Sequence, residues 1–169
     1  MNVKTRKLVT AAICVALATV LSYIKVFRMP QGGSVSLEML PLIVMSIALG
    51  PWWGMGGGAV CGLLQMIFGG YILTPLQAAL DYPLAFGLLG LAGFLRNCWF
   101  CGALLGVAGR WAAAVVSGVV FFGNYAPEGQ SPLVYSMVYN ATYLVPALIV
   151  TLIGLWLVVP RLTRWIYRS

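Results

Sequence analysis

Of the side chains most used for proton transfer and metal ligation, this 169-residue chain has three carboxylates, four cysteines and no histidine. The carboxylates, Glu38, Asp81 and Glu128, are not clustered in sequence. General acid–base catalysis and metal-assisted hydrolysis draw on His or on grouped Asp and Glu, so an enzyme is not expected. No G-x-x-x-x-G-K-[ST] phosphate loop occurs, which excludes ATP binding in that manner. Cys98 and Cys101 have the C-x-x-C spacing of metal and redox motifs. With no second pair and no histidine, the ligands of a zinc site are missing. Together with Cys14 and Cys61, which also lie in or beside apolar stretches, they read as small packing residues. Neither a cofactor nor a metal site is expected.

What chemistry there is must come from polar groups set in apolar surroundings. Asp81 stands in Leu76-Gln77-Ala78-Ala79-Leu80-Asp81-Tyr82. A carboxylate inside a membrane span costs at least ~2.5 kcal/mol on insertion scales and is functional by default. The bland alternative is a structural ion pair with Arg110, the other ionisable group placed well inside a span. Further along, Ser136, Asn140 and Tyr143 follow i, i+4, i+7 and share one helical face, with Tyr135 off that line and Tyr139 between. Phe121, Phe122 and Tyr125 crowd the stretch before them. Singly, such aromatics serve as packing or interfacial anchors. Together with Asp81 they outline a pocket for a flat, nitrogen-rich, cationic ligand. Rings stack on it and attract its charge, and an Asn amide has both donors and an acceptor for a heterocycle edge.

The elements that must position these residues are membrane helices. Apolar residues make up 62% of the chain and charged residues only 8%, where a soluble domain has about a quarter charged. Ten basic and three acidic residues cannot coat a globule of this size. No charge falls between Glu38 and Asp81 or between Glu128 and Arg161. A span needs roughly 20 apolar residues, and backbone in lipid must satisfy itself internally. The apolar residues do not alternate with polar ones, which disfavours a barrel.

The chain is thus expected to be an all-α membrane protein with six transmembrane helices, in one domain over residues 1–169. The helices are read at about 8–27, 38–50, 53–69, 75–95, 98–122 and 132–160. Pro30-Gln31-Gly32-Gly33, Gly50-Pro51, Gly69-Gly70 and the stretch from Asn124 to Pro132 separate them. The second and third are short for full spans. Lys4, Arg6 and Lys7 precede an apolar run as in a signal peptide, but that run continues to Ile24 and five more follow, so it reads as the first helix.

With six spans both termini share a side. That side collects Lys4, Arg6, Lys7, Arg96, Arg161, Arg164 and Arg168, against Lys25 and Arg28 opposite. The basic excess makes both termini cytoplasmic in a multi-pass plasma-membrane protein. The net charge of +7 is a matter of topology, and no nucleic acid partner is expected.

At this point the sequence resembles a known family, the thiamine-specific substrate-binding subunits (S components) of energy-coupling factor (ECF) transporters, nearly end to end. The likeness is carried by Met29-Pro30-Gln31-Gly32-Gly33-Ser34-Val35-Ser36, by Leu80-Asp81-Tyr82, by Ser117-Gly118-Val119-Val120-Phe121-Phe122-Gly123, and by Tyr135-Ser136 through Tyr139-Asn140-Ala141-Thr142-Tyr143.

The resemblance implies the six-helix S-component fold, with thiamine (vitamin B1) held near the extracellular face under the first loop. By position Asp81 matches the acidic residue, commonly Glu, that meets the aminopyrimidine, with Tyr82 following it. Tyr135 and Asn140 match polar contacts on the sixth helix, and Tyr71 a tyrosine of the third loop. Phe122 takes the place of a stacking aromatic, and Gly118 of a small residue beside the ligand. Ser34 and Cys61 stand where some relatives have tryptophan, and Ala114 stands where many have histidine. The resemblance also implies partners, an ECF transmembrane coupling subunit and an ATPase pair, which dock on small residues of the first helix. Ala12 and Ala16 match that pattern, and small residues four apart let helices approach closely in lipid. Plain intrachain packing explains them equally well. A high-affinity thiamine-binding subunit is the function so implied. An S component for a related ligand such as hydroxymethylpyrimidine, or a stand-alone carrier, remains open.

Overall fold

The structure is a computed structural model describing residues 2–30 and 32–166, with side chains described as far as 161. Gln31 and Arg168, both used above, lie outside the described residues, as does the Arg164 side chain. Helix α1 runs Val3–Tyr23 from an Asn2 cap whose Oδ1 accepts from the Lys4 N–H at 3.3 Å. Its apolar run was expected to continue to about residue 27, but the chain leaves the helix at Ile24. Strands β1 (Phe27–Arg28) and β2 (Ser34–Val35) then pair antiparallel, Phe27 opposite Val35 and Arg28 opposite Ser34. Two local preferences shape the hairpin. Pro30 disfavours helical backbone at Met29, and Gly32 and Gly33 take the positive φ of +89° and +90° that the return needs.

Helix α2, Met39–Leu49, is the centre of the bundle. Met39, Leu42, Ile43, Met45 and Ile47 are fully buried. Gly50, at φ +101°, turns the chain directly into α3, Pro51–Ile67, whose first residue is a proline suited to a helix start. Three glycines of α3, Gly54, Gly58 and Gly62, lie four apart and face the helix that follows. A Cβ on Gly58 would come within 2.2 Å of the Phe86 carbonyl oxygen, and one on Gly62 within 2.4 Å of that of Tyr82. Backbone therefore meets backbone here, as small residues allow between membrane helices.

That contact fixes α4, Pro75–Leu95, which carries Asp81. Thr74 caps it, accepting from the Gln77 N–H at 3.1 Å. After one α-helical stretch, Leu80–Leu84 widens into a π-turn, Ala85–Leu88 is α again, and Leu89–Leu95 tightens to 3-10. Pro83 lies inside the wide turn. It lacks an N–H and its ring would crowd a carbonyl of the preceding α-turn, and the wider turn relieves both.

Helix α5, Trp99–Phe121, starts from Cys98, and here the packing reading of the cysteines is corrected. Cys98 and Cys101 are joined in a disulfide at the exposed first turn of α5. Their spacing puts them on adjacent positions of one turn, facing outward. Cys61 is buried as expected, and Cys14 partly so. A short 3-10 turn, Gly123–Tyr125, and a polar loop lead to α6, Pro132–Ile166.

Among the described residues four helices are long and apolar enough to cross a membrane: α1, α4, α5 and α6, the last over Pro132–Arg161. At 1.5 Å per residue, the 11 residues of α2 reach about 16 Å, roughly half the ~30 Å hydrocarbon core. Large apolar side chains such as Ile13, Leu17, Val20, Val116, Val120, Ile149 and Trp156 point outward from the bundle, a surface suited to lipid and costly in water.

Candidate functional site

Between the hairpin, the end of α1, the end of α3 and the neighbouring halves of α4, α5 and α6 lies a cavity of about 640 Å³. That is within the 300–1,000 Å³ typical of small-molecule sites. All eight residues expected to contact a ligand line it: Ser34, Tyr71, Asp81, Tyr82, Gly118, Phe122, Tyr135 and Asn140. Ala12 and Ala16 lie elsewhere, exposed on α1.

Asp81 is held by its own helix. Gln77, one turn earlier and nearly fully buried, donates Nε2–H to Asp81 Oδ2 at 2.5 Å. The same amide nitrogen reaches the Tyr71 carbonyl at 3.3 Å, while Gln77 Oε1 accepts from the Leu73 N–H at 2.9 Å. Tyr82 continues this tie, its hydroxyl accepting from the Tyr71 N–H at 2.6 Å. The loop carrying Tyr71 is thereby fastened to the helix carrying Asp81. Ser117, wholly buried on α5, lines the cavity with its hydroxyl turned to Asp81.

Asp81 is not paired with Arg110, which overturns the structural ion pair considered from sequence. Arg110 Nη2 donates instead to Glu38 Oε1 at 2.9 Å, both side chains being buried. Gln65 donates to the other Glu38 oxygen at 3.1 Å, and the guanidinium sits 4.0 Å over the Phe86 ring. Among the described residues this is the one salt bridge. The Asp81 carboxylate therefore faces the cavity with hydrogen bonds and no cation of its own.

The α6 face is polar as the i, i+4, i+7 spacing suggested, but its groups are already engaged. Ser136 donates to the Val115 carbonyl at 2.9 Å. Asn140 Nδ2 donates to the carbonyls of Ser136 at 2.9 Å and Ala114 at 3.3 Å, and Asn140 Oδ1 accepts from the Tyr143 hydroxyl at 2.8 Å. Asn140 Oδ1 keeps a second lone pair for a ligand donor, whereas its Nδ2 meets a ligand only by exchanging one of these bonds. Gly118 permits this packing, since a Cβ there would lie 2.1 Å from Ser136 Oγ.

Aromatic rings close the remaining walls. Tyr71 and Phe122 lie 6.1 Å apart between centroids and Tyr135 and Tyr139 5.9 Å, while the exposed Tyr125, outside the lining, backs Phe122 at 6.1 Å. The hairpin covers the cavity and is fastened to α6: Tyr139 donates to the Gly32 carbonyl at 3.1 Å, and Gly33 lies directly against the Tyr143 ring. Cations Lys25 and Arg28 stand exposed at the mouth.

Sequence reasoning missed Glu38, Gln65, Gln77, Phe86 and Ser117 as cavity residues. A signal existed for the polar four. Each is a polar side chain in a chain with few to spare, and Gln77 stands one helical turn from Asp81.

Comparison with known proteins follows the same lines. Residues 8–166 match the family described as Thiamine transporter protein. The thiamine transporter ThiT of Bacillus subtilis (strain 168) is 36% identical over 184 residues, covering 94% of each chain. The thiamine transporter ThiT of Lacticaseibacillus paracasei is 31% identical over 149 residues, covering 76% of this chain and 74% of its own. Among solved structures, ThiT from Listeria monocytogenes superposes with a TM-score of 0.85 at 29% identity, over 95% of this chain and 98% of that one. The S component of a bacterial ECF transporter superposes with a TM-score of 0.65 at 19% identity, over 98% and 99%, a likeness of fold.

Proposed function

The chain belongs to the thiamine transporter protein family, and on that footing we propose that it is the high-affinity thiamine-binding subunit of an ATP-driven ECF uptake transporter. The family is one of transporters and not of enzymes. The observation that carries the reading is Asp81, a carboxylate in an aromatic-walled cavity with no cation of its own. Thiamine joins an aminopyrimidine to a permanently charged thiazolium. The carboxylate accepts from the amino group, and the rings of Tyr71, Phe122, Tyr135 and Tyr139 stack on the heterocycles and attract the cation. Tyr82 holds the loop that carries Tyr71, Gly118 lets Ser136 and Asn140 close up beside the ligand, and Asn140 Oδ1 accepts from it with its second lone pair. Ser34, on β2, forms part of the cover.

In this reading the whole chain is one domain with the six-helix S-component fold. Helices α2 and α3 cross as shorter segments within the slab. The basic excess near the ends of the chain keeps both termini cytoplasmic, which turns the cavity and its hairpin cover outward. ATP hydrolysis is supplied by a separate ATPase pair through a transmembrane coupling subunit, docked on the exposed Ala12 and Ala16 of α1.

Titration of detergent-purified protein with thiamine tests the proposal, with one ligand per chain expected in the absence of ATP. No heat and no tryptophan fluorescence change at micromolar thiamine would sink it. Saturation by hydroxymethylpyrimidine alone would transfer the site to that ligand. Thiamine uptake into liposomes by the chain without partners or ATP would instead make it a stand-alone carrier.

A further inference from the structure

A guanidinium in the wall of a cavity meant for a cation is a paradox, and the way it is resolved assigns a role to Glu38. Five charged side chains line the cavity: Lys25, Arg28, Glu38, Asp81 and Arg110. Lys25 and Arg28 are exposed at the mouth, where water and salt screen them. The interior then holds two carboxylates and one guanidinium. Arg110 and Glu38 neutralise each other at 2.9 Å, and Gln65 occupies the second Glu38 oxygen at 3.1 Å. The guanidinium is further held 4.0 Å over Phe86, whose ring face also favours the positive charge. What remains unpaired is the single negative charge of Asp81.

We propose that the Glu38–Arg110 pair is the charge-selectivity element of the site: Glu38 masks Arg110, so that the interior of the cavity, inside the exposed Lys25 and Arg28, keeps one net negative charge and prefers a monocation over its phosphorylated, anionic forms. This deepens the thiamine reading and rests on it. Glu38 acts here as a positioning residue, since both of its oxygens are engaged inside the protein. The pair joins residues 72 apart in sequence, tying the start of α2 to the middle of α5. Its charge balance is therefore set by the assembled fold.

The test compares binding of thiamine with that of thiamine monophosphate, and the readout is the ratio of their dissociation constants. Neutral hydroxymethylpyrimidine serves as an uncharged control. Glu38→Gln unmasks Arg110 and should shift the ratio toward the phosphate by about tenfold or more, as one unit charge in a poorly screened cavity does. Arg110→Met leaves a second free carboxylate and should shift it the other way. The double variant restores one net negative charge and should return the ratio to within about threefold of the wild type. Hydroxymethylpyrimidine binding should move far less than either charged ligand. The two single variants push in opposite directions, so either one that folds, as judged by its melting temperature, carries the test alone, with the double variant as the charge-matched reference. If the wild type binds no thiamine, the function proposed above fails. If the wild type binds thiamine and the variants that fold keep the wild-type ratio, the masking role alone is overturned.

Discussion

Replacing Asp81 by Asn removes one charge and almost no volume, and the structure indicates what should and should not follow. The carboxylate accepts from the Gln77 amide at 2.5 Å, with the Ser117 hydroxyl beside it. An Asn oxygen can still accept from the amide, so that tie to α4 survives. No cation is stranded, because Arg110 is already paired with Glu38 at 2.9 Å. Folding stability should therefore change by about 1 kcal/mol or less, the net worth of an ordinary hydrogen bond. Ligand binding should suffer more. A charge-assisted hydrogen bond contributes roughly 1.5–3 kcal/mol, and each 1.4 kcal/mol is about tenfold in affinity. Thiamine affinity should fall roughly ten- to a hundredfold while the melting temperature stays within a few degrees. Calorimetric titration and thermal unfolding of the same detergent preparation measure both. A well-folded Asp81→Asn protein with unchanged thiamine affinity would refute the assignment of this residue. A variant that unfolds without losing intrinsic affinity would instead give the carboxylate a structural role.

Three further outcomes are expected. Gly33→Ala places a Cβ 2.6 Å from the Tyr143 ring at a φ of +90°, a conformation costing an L-residue about 1–2 kcal/mol. Thiamine should dissociate faster by roughly tenfold from this variant, which stopped-flow fluorescence reads directly. Ala16→Leu adds bulk on an exposed face of α1 away from the cavity, so purified protein should bind thiamine as before while cellular uptake is lost. Lost binding would return this face to intrachain packing. In a background lacking Cys98 and Cys101, an impermeant thiol reagent applied to intact cells should label Glu128→Cys and spare Asn97→Cys. The reverse pattern would invert the topology.

Most of what the sequence revealed came from rarity. In a chain with so few charges, Asp81 between apolar neighbours marks itself, and helical spacing places Ser136, Asn140 and Tyr143 on one face. What was hidden depends on contacts between distant residues. Nothing local says that Arg110 prefers Glu38 to Asp81, since α2 must first be seated beside α5. Glu38 looked like the polar start of a short helix. The early end of α1 was obscured because Ile24, Val26 and Phe27 are as apolar as the helix before them. Only the pairing of Phe27 with Val35 draws the end of this stretch into a strand. The engagement of the Asn140 amide by Ala114 and Tyr143 was equally out of reach, being a property of close α5–α6 packing at Gly118.

The π-turn at Leu80–Leu84 makes α4 sensitive to length in a way no loop is. Such a turn is the trace of one additional residue taken into an α-helix, and each residue of an α-helix accounts for about 100° of rotation. Removing any single residue from this stretch would let the helix become regular, and to that extent more comfortable. It would also swing Gln77 and Thr74 around the axis relative to Phe86 and the glycine contact with α3. The amide that steadies Asp81 would then turn toward lipid. Alanine insertions or deletions walked along α4 should accordingly be harmful within Leu80–Leu84, whereas the same one-residue changes in the loop from Ala126 to Ser131, which anchors no wall of the cavity, should pass with little effect.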